Sequence, residues 1–217
     1  MNIEQARYNM IEQQIRPWEV LDQGVLSLLA VVKREDFVPP ACRALAFFDT
    51  EVPLPEGQAM LAPKVEARLL QALRVARHER VLEIGTGSGH MAALLAHRAQ
   101  HVTSLEVRPA LAAMASANLR RAGIANSSVV VIDGSRGLPD EAPFDVIVLS
   151  GSVAEVPQAL LDQLKPGGRL VAVVGDEPVM RATLITRVAA TQFRSEELFD
   201  TVAPRLDGFA EPAHFRF

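Results

Sequence analysis

The chain shows two hydrophobic patterns, which meet near residue 77. From Ile3 to about Leu73, apolar residues recur mostly at the spacing of a helix face. Within this part, a helix is predicted to begin at Pro63, because proline fits the first turn of a helix. The segment EGQAMLAP, which precedes this helix, is a loop that is unusually apolar.

The second pattern alternates short apolar runs with helical segments. Strands are predicted in VLEIG, HVTSLEV, SVVVID, FDVIVLS and RLVAVVG, and helices in HMAALLAHRA, ALAAMASANLRRAG and VPQALLDQLKPGG. This alternation predicts an α/β fold, with a parallel sheet and crossover helices. Beyond Gly175 the pattern weakens: ATLITRVAA and EPAHFRF are candidate strands, and FRSEELFDTVAPRL is ambiguous.

Composition and charge narrow the class of protein. The chain has 217 residues, of which 49% are hydrophobic and 22% charged, and this is enough for one sizeable core. A net charge of -4 argues against a nucleic-acid partner.

The single cysteine, Cys42, is expected to be buried and fits a reducing compartment. Without an apolar leader or a run of about 18 apolar residues, we expect a soluble cytoplasmic protein with no membrane partner.

The strongest chemical signal is VLEIGTGSGH, where a buried strand runs into Gly85, Gly87 and Gly89. Glycines allow the backbone to approach a ligand closely, and the end of a first strand is where parallel sheets bind nucleotides. The dinucleotide fingerprint needs its third glycine one residue later, where His90 stands instead. A nicotinamide-dependent oxidoreductase is therefore disfavoured.

Acidic residues follow the later strands. Glu106 ends the second strand, where a carboxylate accepts hydrogen bonds from ribose hydroxyls, and Asp133 ends the third, where it is placed to accept one from an adenine amino group. Taken singly, Asp133 and Asp145 are more typical of caps or turns. The combination of Asp133 with Glu83, Gly85 and Glu106 favours a ligand-binding role for Asp133.

These motifs resemble those of class I S-adenosylmethionine-dependent methyltransferases. In order and spacing, they are VLEIGTGSGH, VTSLEV, VVIDGS, APFDVIVLS and LLDQLKPGGRLV. Together with MIEQQI, VKREDFVP and GQAMLAPKVEARLLQAL, they are similar to the protein-L-isoaspartate O-methyltransferases over about residues 7–174. The resemblance implies a Rossmann-like, doubly wound, mostly parallel seven-stranded sheet with an N-terminal helical segment. It also implies S-adenosylmethionine as cofactor and S-adenosylhomocysteine as product.

The resemblance also implies a domain organisation and a set of site residues. Residues 1–76 would form the helical segment and a substrate-lid loop packed on the same domain, and residues 77–217 the cofactor-binding domain. The implied cofactor residues are Glu83, Gly85, Thr86, Gly87, Ser88, Gly89, His90, Glu106, Asp133 and Gly134. The substrate-pocket candidates are Gln58, Ala59, Met60 and Leu61. The implied partner is a protein or peptide with isoaspartyl residues, and we expect a monomer or weak dimer.

The pocket segment departs from the family pattern, in which Gly-Gln-Thr-Ile-Ser is usual. Here Ala59 and Leu61 replace the two hydroxyl residues. Losing a hydroxyl donor to a bound carboxylate would cost about ten- to a hundredfold if nothing replaced it. Three hypotheses therefore stay open: an isoaspartyl O-methyltransferase, a methyltransferase of the same fold acting on a different small-molecule or protein acceptor, and a catalytically silent cofactor-binding or interaction module.

The expected chemistry requires few side chains. A carboxylate acceptor is already ionised at pH 7 and needs no general base, so no catalytic residue is assigned. No spacing of histidine, cysteine and acidic residues predicts a metal site. His90 is expected to pack against the ligand or a helix rather than transfer a proton, and Trp18 is expected to anchor the core or the lid.

Overall fold

The computed structural model describes residues 2–211, and its central feature is a seven-stranded sheet. The strands are β1 (Val52–Pro53), β2 (Ala59–Met60), β3 (Arg80–Ile84), β4 (His101–Glu106), β5 (Ser127–Val131), β6 (Phe144–Val153), β7 (Leu164–Asp176), β8 (Val179–Ala189) and β9 (Gln192–Thr201). β1 and β2 form a separate hairpin, and the others are ordered β5-β4-β3-β6-β7-β8-β9. All neighbours from β5 to β7 are parallel, whereas β8 and β9 are antiparallel to their neighbours. The predicted fold class is confirmed.

The α-helices precede and connect these strands. They are α1 (Ile3–Asn9), α2 (Gln23–Val31), α3 (Pro63–Leu73), α4 (His90–Ala96), α5 (Pro109–Arg121) and α6 (Gln158–Leu161). A π-helical turn at Met10–Ile15 follows α1 directly. As predicted, α3 begins at Pro63, and it ends where Arg74 adopts a left-handed conformation with φ 46°.

The helix predicted in VPQALLDQLKPGG is much shorter than expected. It is confined to α6, because β7 already begins at Leu164. Pro166 has no N–H group to donate to a helix, and Gly167 has φ +79°, so the chain leaves helical geometry here. The pairing of β6 with β7 shifts register at the same place. A helical pattern was overridden by the turn residues that follow it.

The late strands are partly as predicted. All but the last residue of ATLITRVAA lies in β8, and the ambiguous FRSEELFDTVAPRL contributes most of β9. Residues 212–217 of the candidate strand EPAHFRF lie outside the described residues.

Alternating strand residues build two hydrophobic clusters, one on each face of the sheet. Val81 and Val146 pack in a cluster with the N-terminal segment, α3, α4 and α5. Leu82 and Ile147, their chain neighbours, pack on the opposite face with α6 and Phe209. This alternation follows from the two-residue repeat of a strand. The N-terminal segment thus shares one core with the sheet.

The structure differs from expectation at two residues of the N-terminal segment. Trp18 does not anchor the core, because it is 47% exposed, and the Lys64 ammonium lies 3.8 Å from its ring centroid. A role of Trp18 in anchoring the lid stays a prediction. Cys42 is half-buried rather than buried. Both residues lie in short helical turns or beside them, where the apolar face is too narrow to enclose every apolar side chain.

Candidate active site

A cleft lies at the carboxyl ends of β3, β4 and β6. From β3 the chain runs outward to β4 and β5 and then crosses back to β6 on the other side of β3, so this is the switch point at which parallel sheets leave a crevice. The cleft is lined by Gln58, Ala59, Ile84, Gly85, Gly87, Leu105, Glu106, Val107, Arg108, Leu111, Gly134, Ser150, Pro204, Arg205, Leu206 and Asp207. Residues from distant parts of the chain therefore meet there.

The glycine loop between β3 and α4 passes close to its neighbours. Gly85 and Gly89 have φ of 90° and 83°, a region that other residues rarely adopt. A Cβ atom at Gly85 would lie 2.6 Å from Leu206 Cδ2, and one at Gly89 would lie 3.2 Å from Ala115 Cβ. The left-handed conformation thus favours glycine at both positions, and a side chain at residue 89 would also press against Ala115.

The Glu106 carboxylate is held in a fixed orientation beside this loop. Its Oε2 accepts a hydrogen bond from the Gly87 N–H at 2.9 Å, and its Oε1 accepts one from the Arg108 N–H at 3.0 Å. Each oxygen keeps acceptor capacity, because a carboxylate has about four lone-pair sites. Glu106 can therefore accept further hydrogen bonds from a ligand with neighbouring hydroxyls.

Glu83 lies deeper, at the centre of the sheet, and is fully buried. Its carboxyl accepts hydrogen bonds from Ser104 Oγ at 2.6 Å and Ser150 Oγ at 2.7 Å. Burial raises the pKa of Glu83 to about 7, against the lowering effect of the two hydroxyls. The group therefore exchanges a proton near neutral pH.

The β1–β2 hairpin forms a wall of the cleft. Val52 pairs with Met60 and Pro53 with Ala59, so the apolar loop EGQAMLAP is part of a small two-stranded ribbon. Ala59 lines the cleft, while Met60 and Leu61 are each 4% exposed. The hydroxyl-free wall predicted from the sequence therefore faces the cleft and the space behind it.

A smaller cavity adjoins the cleft. It is lined by Leu54, Ala59, Met60, Leu61, Glu66, Glu83, Gly85, Thr86, Gly87, Ser88, His90, Met91 and Ser150. The two spaces share Ala59, Gly85, Gly87 and Ser150. A group in the small cavity is therefore close to a ligand in the cleft.

Three buried charged or polar residues meet at this cavity. His90 Nδ1 lies 3.0 Å from Glu66 Oε2, and the same oxygen is bound by the Arg34 guanidinium. Although burial raises the pKa of Glu66, its interactions with His90 and Arg34 outweigh burial and lower that pKa below its usual value. The His90 ring also packs edge-on against Phe37, with centroids 5.3 Å apart. His90 thus packs inside the protein beside α3.

Residues 204–208, hereafter the strap, lie across the mouth of the cleft. The Ser152 N–H donates to the Pro204 carbonyl at 2.7 Å, and the Leu206 N–H donates to the Ser152 carbonyl at 2.9 Å. Asp207 forms an ion pair with Arg108, which follows β4. The strap is therefore attached to β6 and to the end of β4, the two strands on either side of β3.

Most of the predicted site residues come together. Gln58, Ala59, Gly85, Gly87, Glu106 and Gly134 line the cleft, and Met60, Leu61, Glu83, Thr86, Ser88 and His90 line the adjoining cavity. Gly89 lines neither space, although it shapes the loop. Asp133 is exposed, and its side chain accepts a hydrogen bond from the Ser135 N–H at 2.9 Å. The cofactor role of Asp133 stays a prediction.

Several residues of the site were missed from the sequence. Glu66 had a signal, because it shares the buried face of α3 with Leu69 and Leu73. An acid on an apolar face needs a partner, and Arg34 and His90 supply it. Arg108 and the strap had no local signal.

Residues 2–211 contain neither a candidate metal cluster nor a candidate membrane-spanning helix. In this range, no cluster of three or more histidine, cysteine or acidic residues could hold a metal ion. No helix within it is long and apolar enough to cross a membrane.

Comparison with known proteins identifies the family. The family model of protein-L-isoaspartate(D-aspartate) O-methyltransferase matches residues 5–202. The protein-L-isoaspartate O-methyltransferase of Methanoculleus marisnigri is 46% identical over 169 residues, covering 78% of this chain and 77% of the relative. That of Koribacter versatilis is 40% identical over 194 residues, covering 89% and 87%.

A solved structure has the same fold. It is a Plasmodium falciparum protein described as a protein-L-isoaspartate O-methyltransferase and crystallised with S-adenosyl-L-homocysteine. It superposes with a TM-score of 0.79 at 21% sequence identity, covering 93% of this chain and 98% of the other. With the family model matching nearly the whole described chain, this chain belongs to the protein-L-isoaspartate(D-aspartate) O-methyltransferase family.

Proposed function

We propose that this S-adenosylmethionine-dependent O-methyltransferase methylates the carboxylate of isoaspartyl residues in proteins or peptides, with the cleft as its cofactor site. The observation that carries the proposal is the Glu106 carboxylate, oriented by two backbone N–H groups beside the glycine loop. The family match supports the isoaspartyl acceptor. No observation favours a small-molecule acceptor or a silent binding module.

The residues of the cleft fit the cofactor. Glu106 would accept hydrogen bonds from the ribose hydroxyls, and the glycine loop at Gly85 and Gly87 would lie against the methionine part. Gly134 lines the same cleft and packs closely against β3, because a Cβ atom at this position would lie 2.6 Å from Ile84 Cγ2. Asp133 beside it is the candidate for the adenine amino group.

The bound cofactor supplies an electrophilic methyl group on a sulfonium. The residues of this chain contribute mainly by holding the acceptor close and aligned, which is worth roughly 7 to 11 kcal/mol in well-oriented reactions. An isoaspartyl carboxylate, with a pKa of about 4 in solution, is ionised at pH 7, so no side chain has to remove a proton. The strap and the β1–β2 hairpin would exclude water from the reacting atoms.

The acceptor side of the site is the cavity behind the hairpin. It adjoins the cleft and is lined by the substrate-pocket residues Ala59, Met60 and Leu61. Backbone N–H groups or other polar residues must take over from the hydroxyls that the family usually has. The cytoplasmic location, the monomeric or weakly dimeric state and the division at residue 76 stay predictions.

A two-part experiment tests the function. Calorimetry should show that the purified protein binds S-adenosylhomocysteine. Labelled S-adenosylmethionine should then transfer its methyl group to an isoaspartyl peptide and not to the matched aspartyl peptide. Cofactor binding without isoaspartyl methylation would reject the acceptor, and the absence of cofactor binding would reject the whole proposal.

A further inference from the structure

The cavity behind the hairpin is poorly suited to an anion unless one of its residues gains a positive charge. Its lining contains neither lysine nor arginine. Arg34 lies behind it, but its guanidinium binds Glu66 and, at 2.7 Å, the Leu61 carbonyl. The charge of Arg34 is therefore already offset.

The other charged groups around the cavity are acidic. Glu66 on α3 and Glu83 on β3 line it, and Glu106 at the end of β4 lies close enough to raise the pKa of Glu83. An entering carboxylate would meet these acids and would need a donor with positive charge to offset them. The replacement of the family hydroxyls by Ala59 and Leu61 makes this need greater.

His90 on α4 is the lining residue that can become such a donor. Because the Glu66 carboxylate only accepts hydrogen bonds, His90 Nδ1 must carry the proton between them. In the neutral ring, Nε2 is therefore without a proton. This Nε2 is buried and has no hydrogen-bond partner among residues 2–211. A buried polar atom without a partner next to a binding cavity indicates a role with a ligand.

We propose that His90 replaces the missing hydroxyls: as the acceptor carboxylate enters, the imidazole binds a proton on Nε2 and donates it in a hydrogen bond to that carboxylate. The inference rests on the proposed function and names the residue that gives it specificity for an anionic acceptor. The proton is taken from solvent when the acceptor binds. It is released after methylation, because the neutral ester no longer stabilises the imidazolium.

The hydroxyl groups that line the cavity are weaker candidates than His90 for the donor to the acceptor carboxylate. The Ser150 hydroxyl donates to Glu83, and the Thr86 hydroxyl is paired with Ser104. Ser88 Oγ accepts the His90 N–H at 3.3 Å and keeps its own proton free. A hydrogen bond from the Ser88 hydroxyl would need no additional proton. Proton uptake on acceptor binding therefore distinguishes His90 from Ser88 as the donor.

The test measures the proton balance of acceptor binding. An isoaspartyl peptide is titrated calorimetrically into the protein saturated with S-adenosylhomocysteine, at pH 8, in two buffers of different ionisation enthalpy. We expect uptake of about one proton per peptide bound, and peptide affinity that falls as pH rises. The aspartyl peptide is the control acceptor.

Four variants assign the proton to His90. His90→Phe keeps an aromatic ring and should weaken peptide binding about ten- to a hundredfold and abolish proton uptake. His90→Gln keeps an amide donor but cannot titrate, so it should also abolish uptake with a smaller loss of affinity. Adding Leu61→Ser to His90→Phe should restore part of the affinity without uptake. His97→Phe, at the exposed end of the same helix, should behave as the wild type.

The outcomes separate the inference from the function. Glu83 also titrates near pH 7 but is present in every variant, so only the difference from the wild type reports on His90. If the wild type binds and methylates the peptide without proton uptake, or if His90→Gln keeps that uptake, the inference is overturned and the function stands. If the wild type does not bind the isoaspartyl peptide, both fail. Retained binding of S-adenosylhomocysteine shows that a variant is folded.

Discussion

His90 Nδ1 and Glu66 Oε2 lie 3.0 Å apart inside the protein, and the pair connects α4 to α3 at the edge of the cavity behind the β1–β2 hairpin, the proposed acceptor site. Arg34 binds the same carboxylate from the N-terminal segment. Both side chains of the ion pair are at most 6% exposed, so the paired charges are almost completely removed from water. The site is therefore supported by a buried polar cluster whose members depend on one another.

Removing one member of this cluster should destabilise the fold strongly. Arg34→Met leaves the buried Glu66 carboxylate without its main counter-charge, and we expect a loss of about 3–5 kcal/mol in the free energy of unfolding. Urea denaturation measures this loss. Arg16→Met, which breaks the partly exposed pair with Glu12, should cost much less.

The double variant Arg34→Met/Glu66→Met provides a second control for the same prediction. It removes both charges, so it should recover much of the stability that Arg34→Met loses. An Arg34→Met variant as stable as Arg16→Met would contradict the importance of the buried pair.

Glu106→Ala should weaken binding of S-adenosylhomocysteine about ten- to a hundredfold, because it removes a charged acceptor for the ribose hydroxyls and frees the Gly87 and Arg108 N–H groups. Calorimetry gives the dissociation constants. Asp140→Ala removes an exposed acid outside the cleft and should leave them unchanged. Equal affinity for both variants would remove Glu106 from the cofactor site.

Stability should fall as pH rises through the titration of Glu83. The folded-state pKa of Glu83, about 7, lies above the ordinary glutamate value of 4.5, so between these pH values the folded protein holds a proton that the unfolded chain has released. Between these values, rising pH should remove up to about 3 kcal/mol of stability. Glu83→Gln cannot ionise, so its stability relative to the wild type should increase from pH 5 to pH 8 in urea denaturation.

Glu79 should give the opposite dependence of stability on pH, so it serves as the control for Glu83. Burial raises its pKa, but hydrogen bonds from Arg169 outweigh burial and lower it. Its stabilising contribution is therefore present at neutral pH and is lost as pH falls through the lowered value. Glu79→Gln should be less stable than the wild type at pH 7, and the difference should shrink in acid. Parallel pH profiles for the two variants would refute the assignment.

The strap should slow entry of the cofactor. Leu206 packs against Gly85 in the cleft, and the ion pair between Asp207 and Arg108 fixes the strap to the end of β4. Both partners are partly exposed, so Asp207→Asn should release at most about 1 kcal/mol. We expect association of S-adenosylhomocysteine to become up to about fivefold faster in stopped-flow measurements.

Two comparisons check the role of the strap. Asp200→Asn breaks an exposed ion pair with Arg181 on the outer strands and should leave the association rate unchanged. High salt should accelerate association in the wild type more than in Asp207→Asn, because it screens the same pair. An unchanged rate in Asp207→Asn would mean that the strap does not limit entry.

Local patterns in the sequence were sufficient for the main elements. The apolar runs that became β3, β4 and β6, the glycine loop and the start of α3 at Pro63 are encoded by neighbouring residues, through strand alternation, left-handed glycine conformations and proline geometry. Glu106 was also predictable, since it ends a strand whose position the pattern defined. These features need no knowledge of distant contacts.

The bounds of short elements and the burial of residues in turns were harder to predict from the sequence. The helical pattern before β7 predicted a longer helix than α6. The helical preference of VPQALLDQL competes there with Pro166 and Gly167 and with strand pairing to β6. Trp18 is a large aromatic residue of the kind that often anchors a core, yet it is exposed. It lies in a short helical turn, which buries only a narrow face.

The sequence by itself determined the fold class, the cofactor loop and the loss of two hydroxyls from the pocket wall. Only the tertiary structure showed that Glu66 and His90 form a hydrogen bond beside that wall, and that the strap reaches Gly85 from the far end of the chain. The physical reason is the range of each interaction. Secondary structure follows from residues a few positions apart, whereas buried polar pairs and the closure of a cleft depend on how whole elements pack.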